Sequence, residues 1–494
     1  MDGNIPNLHL RHRDPDWVDI EANLVGEKHD LTVVERTGLK WVGTHHQKPI
    51  LIDYDLPEQA LGYVMGLNST TDFWDTPQHL YNDPRRGHQW EGIADKANPK
   101  LRLKPYRDYA IRVQGHTLHC LNRNFVTAWD RAQCNWDPHY EKTSLQAAWQ
   151  AIAPERFRLP SGSTRHIAQI TRTQPEERDK TIQETYWLAT SQACNYLYLE
   201  NQYFQYTPWV EHLKDMRAKY VAGMQRGGWS TDVPNLHVFI VIPEAERLQM
   251  VPRTYDTVAA LGQGQTMPAY DSAVQIHRER VIKPDDAFLS KLKKNGDQLL
   301  REAMSRAALI APPMAVPTAT LNALDADIAD SAKRRPVSPA DLEAMGIKVL
   351  IAKLCSQDSH SAKCREIYIH SKLMIIDDAF LTLGSANMNL RSMAVDSEIN
   401  ISCMHAEFPM DVRKRVWGNL AGEELDGGDG SPASIEEAHK HWIRKMRNNA
   451  DIVENGDTRL KDFIVTYSDS RGGTGFGVRL AQAPAATSDE EGMA

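Results

Sequence analysis

Two stretches of this chain carry a histidine, a lysine and an aspartate at the same spacing. The first set is His46, Lys48 and Asp53, and the second is His370, Lys372 and Asp377. Each set opens an apolar run that reads as a strand, in which alternate side chains share a face. The histidine and lysine of a set therefore point to one spot, and we expect the aspartate in the hairpin that follows.

A glycine and hydrogen-bond donors follow both hairpins. Gly384, Ser385 and Asn387 come after the second return strand, and Gly66 and Asn68 come after the first. Glycine permits close backbone approach, while a hydroxyl or carboxamide can donate hydrogen bonds to an oxyanion. Together with the imidazole and the ammonium, these groups predict two half-sites for a phosphate-sized anion.

Chance is a poor explanation for this repeat. One HxK(x4)D match is expected in roughly one chain in thirty of this length, given average residue usage. Two copies, each with a strand before it and a glycine-containing return strand after it, make coincidence improbable, at about a hundred to one. His45, His79 and His88 stand near the first set, but lone histidines are more often packed or surface residues and are left out.

Strand and helix patterns alternate along the chain and indicate an α/β fold. Residues 311–346 are rich in Ala and Pro and predict an insertion or lid, and residues 479–494 predict a disordered tail. Strands are predicted at 30–36, 44–53, 60–68, 195–204, 236–243, 347–354, 367–377 and 379–387, and helices at 285–310 and 434–449.

Composition is that of a globular protein, with 41% hydrophobic and 25% charged residues and a mean hydropathy of -0.51. The formal net charge of -8 provides no general attraction for nucleic acid or anionic lipid. No apolar run reaches the roughly 18 residues of a membrane span, and no signal peptide is visible, so we expect synthesis in the cytoplasm without one.

The six cysteines form no CxxC pair, which argues against a zinc site, and we expect reduced thiols.

The second stretch, HSKLMIIDDAFLTLGSAN, resembles the phospholipase D superfamily, whose signature is HxK(x4)D(x6)GSxN. The segments HHQKPILID, FWDTPQH, PYRDYAIRVQG, NFVTAW, ENQYF, VFIVIP and LRSMAVDSEI also resemble the larger, eukaryotic-like phospholipases D, in the family's order. Among bacterial members, the chain resembles lipase effectors of type VI secretion.

This resemblance implies two α/β halves related by a pseudo-twofold axis, each a mixed sheet flanked by helices, that share one active site. We place the N-terminal half at 1–185, the C-terminal half at 186–455 with the insertion inside it, and a C-terminal segment with the tail at 456–494.

By family analogy, His46 is the nucleophile that forms a phosphohistidine, and His370 is the acid that protonates the leaving alcohol and then acts as base. The reverse assignment is the alternative. Lys48 and Lys372, helped by Ser385, Asn387 and Asn68, would neutralise the phosphoryl oxygens, so that no metal or other cofactor is required.

Each histidine also needs a carboxylate that fixes its tautomer. Matching family positions suggest Asp75 for His46 and Glu398 for His370, with Asp396 as the alternative to Glu398.

Three classes of function follow. The first is a phospholipase D acting at a membrane surface, secreted as an antibacterial effector and met by an immunity protein. The second is a nuclease or other phosphodiesterase of the superfamily, although the negative charge argues against a nucleic-acid partner. The third is a catalytically silent binding protein, which two complete motifs disfavour.

Overall fold

The fold comes from a computed structural model and is given for the residues that it describes. These are residues 11, 13–25, 27, 39–40, 43–68, 73–86, 104–132, 144–228, 233–282, 318–359, 364–405, 407–455 and 459–472. The strand predicted at 30–36, the helix predicted at 285–310 and the tail predicted at 479–494 lie outside them.

The strands of the described part are short around the first motif and longer around the second. They are β1 (Ile50–Ile52), β2 (Leu61–Met65), β3 (Tyr106–Arg107), β4 (Ala110–Val113), β5 (Ala168–Gln174), β6 (Asp179–Lys180), β7 (Tyr196–Asn201), β8 (Phe204–Gln205), β9 (Leu236–Val241), β10 (Ile347–Leu354), β11 (Tyr368–Ile369), β12 (Lys372–Ile376), β13 (Phe380–Gly384), β14 (Met388–Asn389), β15 (Glu398–Cys403) and β16 (Ile464–Thr466). Every other predicted strand contains an observed one.

Helices connect and cover these strands. They are α1 (Trp17–Leu24), α2 (Thr117–Arg131), α3 (Gln146–Gln150), α4 (Thr181–Ser191), α5 (Thr207–Arg226), α6 (Val251–Ala260), α7 (Pro268–Ile282), α8 (Thr318–Lys333), α9 (Pro339–Ala344), α10 (Glu407–Ala421) and α11 (Pro432–Asn455). The helix predicted at 434–449 lies within α11 and is confirmed.

One large mixed sheet runs through the molecule in the order β16-β10-β9-β7-β12-β13-β15-β5-β6. Strands β10, β9 and β7 are parallel, and the remaining neighbours are antiparallel. All positions of β7 and β9 are buried, which explains their almost uninterrupted apolar sequences. The predicted α/β class, with a mixed sheet flanked by helices, is confirmed.

Both faces of this sheet are covered. On one face, Leu199 and Ile240 join a core with Trp209 of α5 and Tyr255 of α6. On the other, aromatic side chains of the sheet pack against helices α10 and α11, whose indoles Trp417 and Trp442 are fully buried. The strands around the second motif are therefore held from two sides.

The first motif belongs to a separate antiparallel sheet in the order β1-β2-β4. This sheet shares a core with α2 and with Ile399 and Ile401 of β15, which brings the first motif onto the large sheet near the second. The large sheet crosses both predicted domain boundaries, since β5 and β6 precede residue 185 and β16 follows residue 455. The pseudo-twofold relation and the division into halves stay predictions.

The described part of the predicted insertion is helical. Helix α8 is bound to α7, because the Arg278 guanidinium donates to the carbonyls of Ala332 and Arg334 at 3.1 and 3.0 Å. Helix α9 begins with a capping box formed by Ser338 and Asp341. A role for this region as a lid stays a prediction.

One pair of cysteines departs from the expected reduced state. Cys355 and Cys364 form a disulfide, so the prediction is wrong for them. The chain leaves β10, turns, and returns so that Glu366 pairs with Cys355. This turn brings the two Cα atoms to 5.9 Å, within the range for a disulfide, which the nine-residue spacing alone does not reveal. Cys120, Cys194 and Cys403 are free thiols.

Candidate active site

The first histidine is fixed to the segment that precedes β15. The backbone N–H of His46 donates to the carbonyl of Ser397 at 2.9 Å, and the Ser397 N–H donates to the carbonyl of Thr44 at 2.9 Å. This pairing places Nδ1 of His46 at 3.0 and 3.1 Å from the two carboxylate oxygens of Glu398, which is fully buried. The Nδ1–H therefore donates to Glu398, and Nε2 is the nitrogen left for chemistry.

The second histidine is fixed in the same way to the segment between β3 and β4. The backbone N–H of His370 donates to the carbonyl of Arg107 at 2.9 Å. Its Nδ1 lies 2.7 Å from Oδ2 of Asp108, and both side chains are only 1% exposed. Nε2 of His370 is buried and has no hydrogen-bond partner among the described residues.

The two contacts are crossed. Each histidine is held by a carboxylate from the segment that carries the other motif, and each donates its backbone N–H to the residue just before that carboxylate. The two half-sites predicted from the sequence therefore form one site.

Three predicted carboxylate partners need correction. Glu398 supports His46 and not His370. Asp75 accepts from His79, from Arg86 and from the backbone of Tyr106, and so it joins the loop that contains His79 and Arg86 to the start of β3. Asp396 accepts from Thr44 and Arg391. The chain segments pair across the site, so each histidine receives its carboxylate from the segment that follows the other motif.

Asp108 was missed altogether. A signal for it exists in the repeat, because the strand that pairs with each return strand begins at or near an acidic residue. Glu398 opens β15, which pairs with β13, and Asp108 lies two residues before β4, which pairs with β2. Comparing these positions in PYRDYAI and VDSEINI would have identified both carboxylates.

The two lysines occupy equivalent positions. Lys48 Nζ donates to the carbonyl of His46 at 3.2 Å, and Lys372 Nζ donates to the carbonyl of His370 and to Oε1 of Gln202, the latter at 3.0 Å. Lys372 is completely buried. Each ammonium therefore lies beside the backbone of its own histidine, and its role on phosphoryl oxygens stays a prediction.

The glycines mark where the two motifs touch. A Cβ on Gly66 would lie 3.0 Å from the carbonyl oxygen of Gly384 and 3.1 Å from Cδ of Lys372. A Cβ on Gly384 would lie 2.2 Å from the carbonyl oxygen of Ile399. Both glycines thus permit close backbone packing within the protein, and for Gly384 the neighbour is β15.

The other predicted hydrogen-bond donors are Ser385, Asn387 and Asn68. Ser385 Oγ donates to Glu398 at 2.5 Å, so its proton is used to hold that carboxylate and not a phosphoryl oxygen. Asn387 is 4% exposed and its Oδ1 has no partner in the described part of the chain, so this side chain can turn its amide toward a ligand. Asn68 follows β2 and is partly buried.

The aspartates of the motifs belong to the hairpins, as expected. Asp53 and Asp377 both have φ 52°, the left-handed conformation that a tight turn requires. The Asp377 carboxylate accepts from the backbone N–H groups of Cys194, Asn195 and Tyr196 at 2.6 to 3.0 Å. These residues hold the hairpin and do not touch the histidines' rings.

Burial and neighbouring charges shift the pKa values of His370 and of the two supporting carboxylates. Burial, and then the charges of Lys372 and Lys48, hold the pKa of His370 well below its ordinary value. Burial raises the pKa of Asp108, against the opposing effect of Lys372. Burial alone would raise the pKa of Glu398, but contacts with His46, Ser385 and Ser392 lower it.

Two neighbouring histidines of the described part are held by other partners. His45 Nδ1 lies 2.5 Å from Ser397 Oγ and close to the guanidinium of Arg13, and His79 pairs with Asp75. His88 lies outside the described residues. Within the described ranges, no group of three or more His, Cys, Asp or Glu side chains is arranged to hold a metal ion.

The chain matches a family model described as phospholipase D over residues 336–422. It is 23% identical to phospholipase D alpha 1 of Oryza sativa subsp. japonica over 416 residues, which cover 74% of this chain and 46% of the relative. Phospholipase D alpha 1 of Carica papaya is 23% identical, with coverages of 77% and 48%. The chain spans about half the length of these curated relatives. The matches confirm the resemblance drawn from the sequence.

Solved structures give weaker likenesses. Phosphatidylserine synthase from Haemophilus influenzae Rd KW20 is 11% identical, with a TM-score of 0.30, over 83% of this chain and 70% of that one. Nuc from Salmonella typhimurium, a phospholipase D family member, is 13% identical, with a TM-score of 0.22, over 51% and 91%. Scores this low carry no weight for the function.

Proposed function

We propose that this chain, a member of the phospholipase D superfamily, hydrolyses the distal phosphodiester of glycerophospholipids to phosphatidic acid and the headgroup alcohol. Transfer of the phosphatidyl group to other alcohols would use the same site. The observation that carries the proposal is the crossed pairing of His46 with Glu398 and of His370 with Asp108. It fixes both imidazoles in the tautomer that leaves Nε2 for reaction.

In the first step, the lone pair of His46 Nε2 attacks phosphorus and a P–N bond forms. The bond from phosphorus to the headgroup oxygen breaks, and His370 gives its Nε2 proton to the departing alkoxide. The Glu398 carboxylate balances the positive charge that develops on the His46 ring. The product of this step is a phosphatidyl-histidine and a free alcohol.

In the second step, His370 takes a proton from water, whose oxygen attacks phosphorus. The P–N bond breaks, phosphatidic acid leaves, and both histidines return to their starting states. An alcohol in place of water gives the transfer product. The ammonium groups of Lys48 and Lys372 would stabilise the phosphoryl oxygens throughout, and the negative charge of the bound phosphodiester would raise the pKa of His370 so that it can act as the acid.

A lipid substrate is favoured by the extent of the match and by the surface beside the first motif. The alignment with the phospholipase D alpha 1 relatives includes about three quarters of this chain. Strand β1 and its hairpin present Ile50, Ile52 and Leu56 to solvent, with exposed fractions of 38%, 41% and 53%. Exposed apolar side chains on a motif-bearing hairpin suit contact with a bilayer surface.

The site of action is a further part of the proposal. The protein would be a secreted effector that acts from the periplasm on the membrane of a target bacterium, with an immunity protein in the producing cell. The disulfide between Cys355 and Cys364 supports an oxidising compartment. No helix in the described residues has the length and hydropathy needed to cross a membrane.

The test is headgroup release and phosphatidylethanol formation from mixed phospholipid vesicles, with ethanol and EDTA present. We expect product from the wild type and a loss of at least about a thousandfold in His46→Ala and His370→Ala. Both variants must keep the wild-type melting temperature. No lipid turnover by a folded wild type, with cleavage of a nucleic-acid substrate, would replace the proposal by the nuclease alternative.

A further inference from the structure

A completely buried carboxylate, Glu200, lies directly behind the His370–Asp108 pair. It is the fifth residue of β7 and accepts from four side chains. The donors are Arg107 Nε at 3.0 Å, Tyr109 OH at 3.0 Å, Tyr198 OH at 2.6 Å and Ser371 Oγ. No group in this network contacts the reacting nitrogen, so the proposed reaction leaves it without a role.

The partners of Glu200 are the chain neighbours of the reacting pair. Arg107 immediately precedes Asp108, and its carbonyl accepts from the backbone N–H of His370 at 2.9 Å. Ser371 immediately follows His370. Glu200 therefore contacts the chain neighbour of Asp108 and the chain neighbour of His370. It fixes the two segments between which the 2.7 Å contact of Asp108 with His370 is made.

Stability alone is a weak reason for such a network. Removing an arginine and a glutamate from water costs several kcal/mol per ion, and an apolar pair of similar volume is often equally stable. At the equivalent position of the first motif, the side-chain contacts join uncharged groups. Gln47, which follows His46, donates to Gln174 at 3.0 Å and accepts from Asn124 at 2.8 Å.

The geometry points to Glu200 and Arg107 as a positioning pair for the proposed acid–base histidine, His370. The pair sets the Asp108–His370 contact and keeps the net charge behind it at zero. This inference rests on the proposed function and adds to it two residues that position the acid–base histidine without contacting its reacting nitrogen.

Charge explains why both partners matter. Without Glu200, the Arg107 guanidinium would add an unbalanced positive charge near the His370 ring, which already lies near the ammonium groups of Lys372 and Lys48. The titratable and charged groups around the His370 ring are Asp108, Lys372, Lys48, His46, Tyr106 and Tyr368, with Glu200 and Arg107 behind them. In the proposed reaction His370 must be protonated when substrate is bound, so kcat declines as pH rises through its pKa in the complex. An added positive charge lowers that pKa and moves the decline to lower pH.

The experiment compares Glu200→Gln with wild type on vesicles over a range of pH. We expect kcat to fall at least tenfold, KM to change less than about twofold, and the decline of kcat to move to lower pH. Glu200→Asp keeps the charge and should bring the decline back to the wild-type pH, even where its melting temperature is lower.

A matched control is the buried ion pair at the far end of β12, the strand that begins just after His370. Arg413 is fully buried and donates from Nε and Nη2 to the carboxylate of Asp378 at 2.8 Å each, beyond the end of β12. Asp378→Asn should lower the melting temperature as Glu200→Gln does, with kcat and its pH dependence unchanged. If Glu200→Gln matches Asp378→Asn in all of these, the pair is structural only and the inference is wrong.

A second measurement needs no substrate. The Nδ1 proton of His370, identified by its absence in His370→Ala, should give a strongly downfield NMR signal in the free protein because it lies between a ring nitrogen and a carboxylate. Glu200→Gln should shift or broaden this signal, and Asp378→Asn should not. Should the wild type turn over no phosphodiester, the proposed function fails, while this signal still decides whether Glu200 positions His370.

Discussion

In the proposed reaction, Asp108 and Glu398 each accept from Nδ1 of one histidine, which keeps Nε2 for the reaction and balances positive charge on the ring. Replacing either by its amide removes the charge and exchanges one acceptor oxygen for an N–H donor, so the imidazole can turn or change tautomer. We therefore expect Asp108→Asn and Glu398→Gln to lower kcat by about 10²- to 10⁴-fold with little change in KM. Steady-state kinetics on vesicles, per folded molecule, measures this.

Asp75→Asn is the matched control for these two variants. Asp75 is a buried carboxylate with three donors, near Asp108 in space, but it touches neither catalytic histidine. The variant should lower the melting temperature and keep kcat within about threefold of wild type. A folded Asp75→Asn protein with the kinetic defect of Asp108→Asn would return Asp75 to the role that the sequence suggested.

Sequence reasoning at this scale located the reacting groups but not their partners. His46, Lys48, His370 and Lys372 could be found because their spacing is local and repeated. Glu398 was found but given to the wrong histidine, because its contact depends on which segments pair across the site. That pairing is a long-range property that one sequence does not contain.

At the scale of the elements, the return strand of the second motif depends on one glycine. A methyl group on Gly384 would approach three atoms of β15, namely the Ile399 carbonyl oxygen, Asn400 Oδ1 and Asn400 Cα, at 2.2 to 2.5 Å. Two of these are backbone atoms in a paired strand and cannot yield. We expect Gly384→Ala to lower the free energy of unfolding by at least about 3 kcal/mol, as measured by denaturant titration.

Gly223, near the end of α5, is the comparison for that prediction. A Cβ there meets no atom within 4 Å. Gly223→Ala should leave stability unchanged or raise it by up to about 1 kcal/mol, since alanine favours the helix. Equal effects of the two substitutions would mean that the packing of β13 on β15 is less tight than described.

The predicted elements that were found share one property, which is that their patterns are set locally. The apolar runs of β7, β9 and β10 and the amphipathic spacing of α11 depend on short windows of sequence. The sheet order does not. The placement of β5 beside β15, and of β16 beside β10, joins residues more than a hundred positions apart, which no local pattern predicts.

For the whole molecule, the disulfide of Cys355 and Cys364 ties folding to the redox state of the surroundings. Closing a loop of this length contributes roughly 2–3 kcal/mol through the unfolded chain. A reductant should therefore lower the thermal midpoint of the wild type but not that of a Cys355→Ala, Cys364→Ala double variant, which should already be lowered. Calorimetry with and without dithiothreitol tests this, and equal midpoints in all four samples would contradict it.

If the proposed function holds, the crossed support of the histidines also bears on how the activity could be inhibited. Each histidine has its carboxylate partner only when the segment that follows the other motif packs against it. The proposed activity therefore depends on a contact between distant parts of the chain. A protein or small molecule that separated those segments would then stop turnover without contacting the histidines themselves. Inhibitors of this kind would not compete with substrate, and selection for them would begin with surfaces well away from the histidines.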